Sequence, residues 1–119
     1  MSAASPAQAA GGAAEETAAS FLRRQGLDIV ARNYRTRFGE IDLVARHGET
    51  LVFVEVRMRS ASGQFGGAAG SIDSHKRSRI IAAARTYLAR VKPLPPCRFD
   101  VITIEDAGPV WLRAAFELY

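Results

Sequence analysis

Glu40-Ile41-Asp42-Leu43-Val44-Ala45-Arg46 and Leu51-Val52-Phe53-Val54-Glu55-Val56-Arg57, joined by His47-Gly48-Glu49-Thr50, are the stretch that decides how this chain folds. Both arms are rich in β-branched and aliphatic residues and the joint carries turn chemistry, which predicts a β-hairpin. A two-residue turn at Gly48-Glu49 pairs His47 with Thr50, and a four-residue loop pairs Arg46 with Leu51. Both give the same register. One face then carries Ile41, Leu43, Ala45, Val52, Val54 and Val56 and is wholly apolar. The other carries Glu40, Asp42, Val44, Phe53, Glu55 and Arg57. A three-residue turn would slip the register by one and mix the two faces.

In this register Asp42 lies opposite Glu55, and Glu40 lies opposite Arg57. Directly opposed like charges destabilise a sheet, so a shared proton, a nearby cation or a metal ion is expected to compensate. Hard divalent ions such as Mg2+ or Mn2+ take carboxylate oxygens and keep several waters, which can carry a substrate phosphate. A solvated strand end, with Arg46, Arg57 or Arg59 neutralising both acids, accounts for the same spacing and on spacing alone is the simpler reading.

Working outward, residues 15–25 have helical spacing at Ala18, Phe21 and Leu22, with Glu15 and Glu16 in the expected first turn and Gly26 as the stop. Residues 1–14 hold seven alanines and two glycines without a charge, and lack the basic start and leucine-rich middle of a signal peptide. They read as a disordered tail, which leaves residues 15–119 as a single domain. Residues 27–37 look extended, with Leu27, Ile29 and Ala31 on one side. Residues 60–71 form a loop with four glycines. It is not a phosphate-binding P-loop, because Gly-Lys-Ser/Thr is absent, and its Phe65 is expected to pack beneath it, ahead of stacking on a base. Residues 74–91 form an amphipathic helix on Ile80, Ala84, Tyr87, Leu88 and Val91, capped by Asp73 or Ser74 and ended by Pro93, Pro95 and Pro96. Residues 99–104 and 109–112 read as strands, with a helical turn at the end. The order α-β-β-β-α-β-β predicts an α/β domain with a mixed sheet.

A chain of 119 residues with 48% hydrophobic and 24% charged residues is that of one globular domain, not a collagen, a coiled coil or a wholly disordered protein. No apolar run approaches the roughly 18–20 residues a membrane-spanning helix needs. One cysteine, Cys97, gives no intramolecular disulfide and no cysteine-based zinc site, which fits a reducing cytoplasm. Net charge is +4, and fourteen of the sixteen bases are arginine, the side chain suited to forked contacts with phosphate. Nine bases fall between Arg57 and Arg98 against one acid, Asp73. Lys76, Arg77 and Arg79 open the second helix, where bases oppose the macrodipole, so phosphate binding is expected of them and of Arg59. Arg85 and Arg90 read as solvated. His47 and His75 lack metal-ligand spacing to another His or Cys. No Gly-x-Ser-x-Gly is present, and Cys97 has no evident base, so nucleophilic catalysis is unsupported. Asp100 is expected to pair with an arginine, and Trp111 and Tyr87 to pack.

Gly39-Glu40-Ile41-Asp42-Leu43 followed by Phe53-Val54-Glu55-Val56-Arg57-x-Arg59 resembles the YraN family of small bacterial proteins. This family is similar to a compact version of the PD-(D/E)xK nuclease superfamily, related in fold to archaeal Holliday-junction resolvases. The resemblance spans residues 15–116 and includes Arg32-Asn33, Phe65-Gly66, Lys76 and Arg98-Phe99-Asp100-Val101. It implies a restriction-endonuclease-like mixed β-sheet flanked by helices. It also implies Mg2+ or Mn2+ held by Asp42 and Glu55, with Glu15 as third carboxylate, and phosphodiester hydrolysis on DNA, ahead of RNA, or on branched nucleic acid. A homodimer is implied as well, since resolvase-like relatives act as dimers. Arg57 falls on the motif lysine and departs from the superfamily pattern. Arginine stays protonated, so Arg57 can orient water or steady a phosphorane by charge but cannot serve as general base. The alternative is a non-catalytic nucleic-acid-binding or protein-assembly module on the same fold.

Overall fold

The computed structural model describes residues 6–58 and 72–117, with side chains from residue 12 onward. In chain order the elements are α1 (Pro6–Arg24), β1 (Asp28–Arg35), β2 (Glu40–His47), β3 (Thr50–Met58), α2 (Ser74–Leu88), β4 (Cys97–Glu105) and β5 (Gly108–Phe116). The β2–β3 hairpin forms in the register its two faces require: His47 pairs with Thr50, Arg46 with Leu51 and Ala45 with Val52. Gly48 takes φ +62°, the left-handed conformation wanted at the first position of a two-residue turn.

The strands lie in sequence order in one five-stranded sheet. All neighbours are antiparallel except β3 and β4, which run parallel. A parallel pair needs a crossover, and α2 supplies it. The apolar hairpin face (Leu43, Ala45, Val52 and Val54) packs with Ile102 under Ala18, Ala19 and Leu22 of α1. The opposite face (Val44, Phe53, Phe99 and Val101) packs under Ile80, Ala83, Ala84 and Leu88 of α2. Each large side chain buried this way contributes about 1.5–3 kcal/mol. The result is a mixed sheet flanked by helices, as the restriction-endonuclease-like resemblance implies.

Several expectations are corrected. The 1–14 tail is helical from Pro6: alanine has the highest helix propensity, and a proline suits the first turn. Glu15 and Glu16 therefore lie well inside α1. Its end is as expected. Gly26 adopts φ +93°, Leu27 N–H reaches Leu22 O and Gly26 N–H reaches Arg23 O, which together form a Schellman stop. Ala31 does not share a side with Leu27 and Ile29, because a bulge at Val30 turns it to the α2 face. Ile41 likewise packs with the α2 cluster. α2 stops at Leu88, three residues early, in a turn bonded Arg90 N–H to Tyr87 O and Val91 N–H to Leu88 O before Pro93. β5 runs on to Phe116, where a helical turn was expected. Asp100, fully buried, accepts from Arg98 Nε (3.0 Å), Trp111 Nε1 (2.8 Å) and the Ala114 N–H (2.9 Å), holding β5 through a bulge in which Ala114 takes φ +51°. The loop carrying Phe65, and Arg59, lie outside the described residues.

One close approach joins the sheet to α2 beside the acids. A Cβ at Gly39 would sit 2.9 Å from the Arg79 carbonyl oxygen, a backbone atom that cannot swing away. Gly39→Ala is expected to cost about 1–3 kcal/mol, read as a lower thermal midpoint, whereas alanine at Gly12, inside α1 and with nothing within 4 Å, does not lower the midpoint and raises it slightly through its helix propensity.

Candidate active site

The paired residues of β2 and β3 run from the turn to Leu43 and Val54 and stop there. Asp42 and Glu55 are therefore not ladder partners, nor are Glu40 and Arg57, which corrects two pairings expected from the register. Instead the Asp42 side chain enters the gap: its Oδ2 accepts the Val56 N–H at 2.8 Å. Glu40 pairs with Arg35 of β1, in the ladder and through its side chain at 3.6 Å. Glu55 is only 7% exposed, and Lys76 Nζ lies 2.7 Å from its Oε1. The solvated end is corrected in that Glu55 is buried, and among the described residues its close cation is a lysine from α2 and not Arg46 or Arg57; Arg59 lies outside them. Glu40, Asp42 and Glu55 line a cleft of about 320 Å3 with Gly39, Lys76 and Arg79.

The electrostatics single out Asp42. Burial, then the neighbouring Glu55 charge, and further the charges of Glu15 and Glu40 push its carboxyl up to about 7 against the Val56 N–H bond, which lowers it. Glu15 is half-buried on α1, while its neighbour Glu16 bonds Arg32 of β1. The Arg32 hydrogen bond and charge hold the Glu16 carboxyl below its usual range. Glu15 thus lies within electrostatic reach of Asp42, but among the described residues no three His, Cys, Asp or Glu side chains converge as a metal-binding group. Two oxygen donors beside open volume suit a hard ion that retains much of its water.

The basic residues separate. Arg79 lines the cleft and donates from Nε to Phe38 O at 3.1 Å. Lys76 faces Glu55, so its first partner is an acid and not a phosphate. Arg77 turns away: its Nε donates to Ile72 O at 3.1 Å and its guanidinium lies over the Phe116 ring. Arg57 lines an adjoining concavity with Glu55, Val56, Met58 and Lys76. His75 borders the main cleft, which its isolated place in the sequence did not signal. The Lys76–Glu55 contact did leave a signal, namely a lysine misplaced at a helix N-terminus and an acid lacking a partner on its own hairpin. Burial pushes the Cys97 thiol up, away from nucleophilic use.

A carboxyl raised by folding is bound more tightly to its proton in the folded than in the unfolded chain, so folding stability from Asp42 falls as pH rises from about 4 to about 7. Asp42→Asn keeps an acceptor for Val56 and removes the charge. In chelator-containing buffer it is expected to gain about 1–3 kcal/mol at pH 8 and little at pH 4, as read by denaturant melts across that range.

Comparison with known proteins gives a family but no named activity. The sequence profile of the uncharacterised protein family UPF0102 matches residues 14–104. A UPF0102 protein of Cupriavidus taiwanensis is 56% identical over 111 residues, covering 92% of this chain and 84% of its own length. One from Janthinobacterium sp. is 52% identical over 110 residues (92% and 89%), and one from Nitrosomonas europaea 52% over 110 residues (90% and 92%). With a profile match across most of the sheet and relatives above half identity, this chain belongs to the UPF0102 family, which is the YraN family its hairpin motifs resemble.

Proposed function

We propose that this protein is a divalent-metal-dependent nuclease that hydrolyses phosphodiester bonds in DNA or branched nucleic acid. The observation that carries the reading is the buried pair Asp42 and Glu55 in one cleft, with the Lys76 amine against Glu55 and a proton-retaining Asp42. An acidic cleft at the end of a splayed hairpin is unfavourable for folding, and a cation with phosphate as co-ligand gives it a use. Asp42 and Glu55 are the residues that would hold Mg2+ or Mn2+, and Glu15 adds negative charge from α1. When bound, such an ion polarises a phosphoryl oxygen and acidifies water. Arg79 at the cleft edge holds the strand by a phosphate, and Lys76, released from Glu55, can do the same. Arg57, fixed in its charge, orients the phosphoryl group and stabilises developing negative charge. No helix among the described residues is long and apolar enough to cross a membrane, and a lone cysteine without a disulfide partner supports a cytoplasmic setting.

A second reading keeps nucleic-acid or protein binding and drops the chemistry. The same ion pair favours it, because Lys76 then serves as a permanent counter-ion to Glu55, and Arg57 replaces the base the superfamily motif would supply.

Thermal melting with and without Mn2+ separates the two. The nuclease reading expects millimolar Mn2+ to raise the wild-type midpoint by a few degrees and Asp42→Asn to abolish the rise. Lys76→Met melts about 1–3 kcal/mol lower without metal, because Glu55 stays buried and unpaired, yet gains more from Mn2+ because a competing cation is gone. On labelled branched and single-stranded DNA, Asp42→Asn and Glu55→Gln are each expected to lower cleavage at least about a hundredfold. Cleavage that persists in both variants, or a metal-indifferent wild type, contradicts this reading.

A further inference from the structure

The turn between β1 and β2 carries an aromatic side chain with no place in either core. Phe38 is 45% exposed and belongs to neither hydrophobic cluster. Its backbone, by contrast, is held on every side. The Thr36 hydroxyl oxygen accepts the N–H groups of Phe38 (3.0 Å) and Gly39 (3.1 Å), and Thr36 N–H reaches Gly39 O at 2.8 Å. Arg79 Nε clamps Phe38 O from α2 at 3.1 Å, and the Gly39–Arg79 approach leaves no room for the turn to slide. The Arg37 guanidinium lies 4.8 Å from the ring centroid. An exposed ring on a rigid turn, with the Arg37 guanidinium over it and Arg79 bonded to its carbonyl, costs little backbone entropy to dock against.

The position gives this a direction. Gly39 and Arg79, which with Thr36 fix the turn at Phe38, both line the acidic cleft. Building on the proposed nuclease reading, we propose that Phe38 is a stacking platform for an unpaired nucleobase of the strand whose backbone enters the cleft. In a duplex the base faces are covered by neighbouring pairs, so a protruding aromatic finds a partner only where a base is unstacked, as in a single strand, a flap or a junction. Arg37 and Arg79 supply the phosphate contacts that bring that strand past the ring. Phe38 therefore selects strand form: it favours substrates with an unpaired base beside the scissile position over continuous duplex.

The test is binding without cleavage, in chelator, by fluorescence anisotropy of a short single-stranded DNA, its duplex, and the same single strand with abasic sites. Wild type is expected to bind the single strand more tightly than the duplex. Phe38→Ala is expected to weaken single-strand binding by about tenfold and duplex binding less than twofold, while melting as wild type does. Abasic DNA reproduces the loss in wild type and adds none in Phe38→Ala. A 2-aminopurine base in the strand is quenched by wild type and not by the variant. An RNA strand of the same sequence tells whether the stacked base belongs to DNA alone or to either polymer. Equal loss on single strand and duplex, or no loss at all, overturns the stacking role while leaving the nuclease reading to its own metal and cleavage tests. A wild type that binds no nucleic acid at low salt, either in chelator or with Ca2+ in place of Mg2+, overturns both.

Discussion

Two carboxylates taken out of water at the end of a strand ladder are the constraint on which the rest of this structure depends. Asp42 and Glu55 sit where β2 and β3 part, and each needs compensation that the regular ladder cannot give. Asp42 takes the Val56 N–H, the group left without a ladder partner by the splay itself. Glu55 takes a lysine from another element. That second contact sets where α2 must begin. Asp73 caps the helix by accepting the Lys76 N–H at 2.8 Å, which fixes the first turn and with it the base of the lysine side chain. It also sets how close α2 must come, and Gly39, where a Cβ would collide with the Arg79 carbonyl, is the residue that permits it.

The two layers on either side of the sheet serve this end differently. The α1 face is apolar along its length, and α1 adds the charge of Glu15 to the cleft without joining a metal-binding group. The α2 face is apolar through Phe53 and Phe99 and then changes to Glu55, so one strand runs from core to site within three residues. A fixed core on both faces holds the carboxylates in place, and open volume ahead of them leaves room for a ligand. The opposite end of the sheet carries the buried Asp100 network, whose hydrogen bonds are met within the protein and which asks for no ligand.

Much of the fold was legible because alternation and turn length constrain each other. The two faces of the hairpin admit one register, and the structure has it. The crossover helix with its cap at Asp73 or Ser74, the stop at Gly26 and the arginine partner of Asp100 were legible for similarly local reasons. The misreadings share a cause. The splay beyond Leu43 and Val54, the bulge at Val30 and the Ile41 packing all depend on how a twisted sheet meets a helix, which strict period-2 reasoning does not carry. The alanine-rich start was read by its lack of charge when its helix propensity was the stronger fact. At the site, the pairing of acids was visible as a conflict, and the lysine that resolves it was visible only as a misplaced base. Joining the two requires the distance that α2 spans, and sequence spacing does not provide it.

The central claim is that Asp42 is held half-way to neutrality by its surroundings and surrenders its proton when a cation enters the cleft. Carbon-detected NMR of the Asp42 carboxyl, titrated in pH with and without Mg2+, tests this directly. The account predicts a midpoint at about 7 in the metal-free protein and a drop of roughly two units or more when Mg2+ is present. A midpoint in the ordinary aspartate range, or one that Mg2+ leaves unmoved, would contradict it.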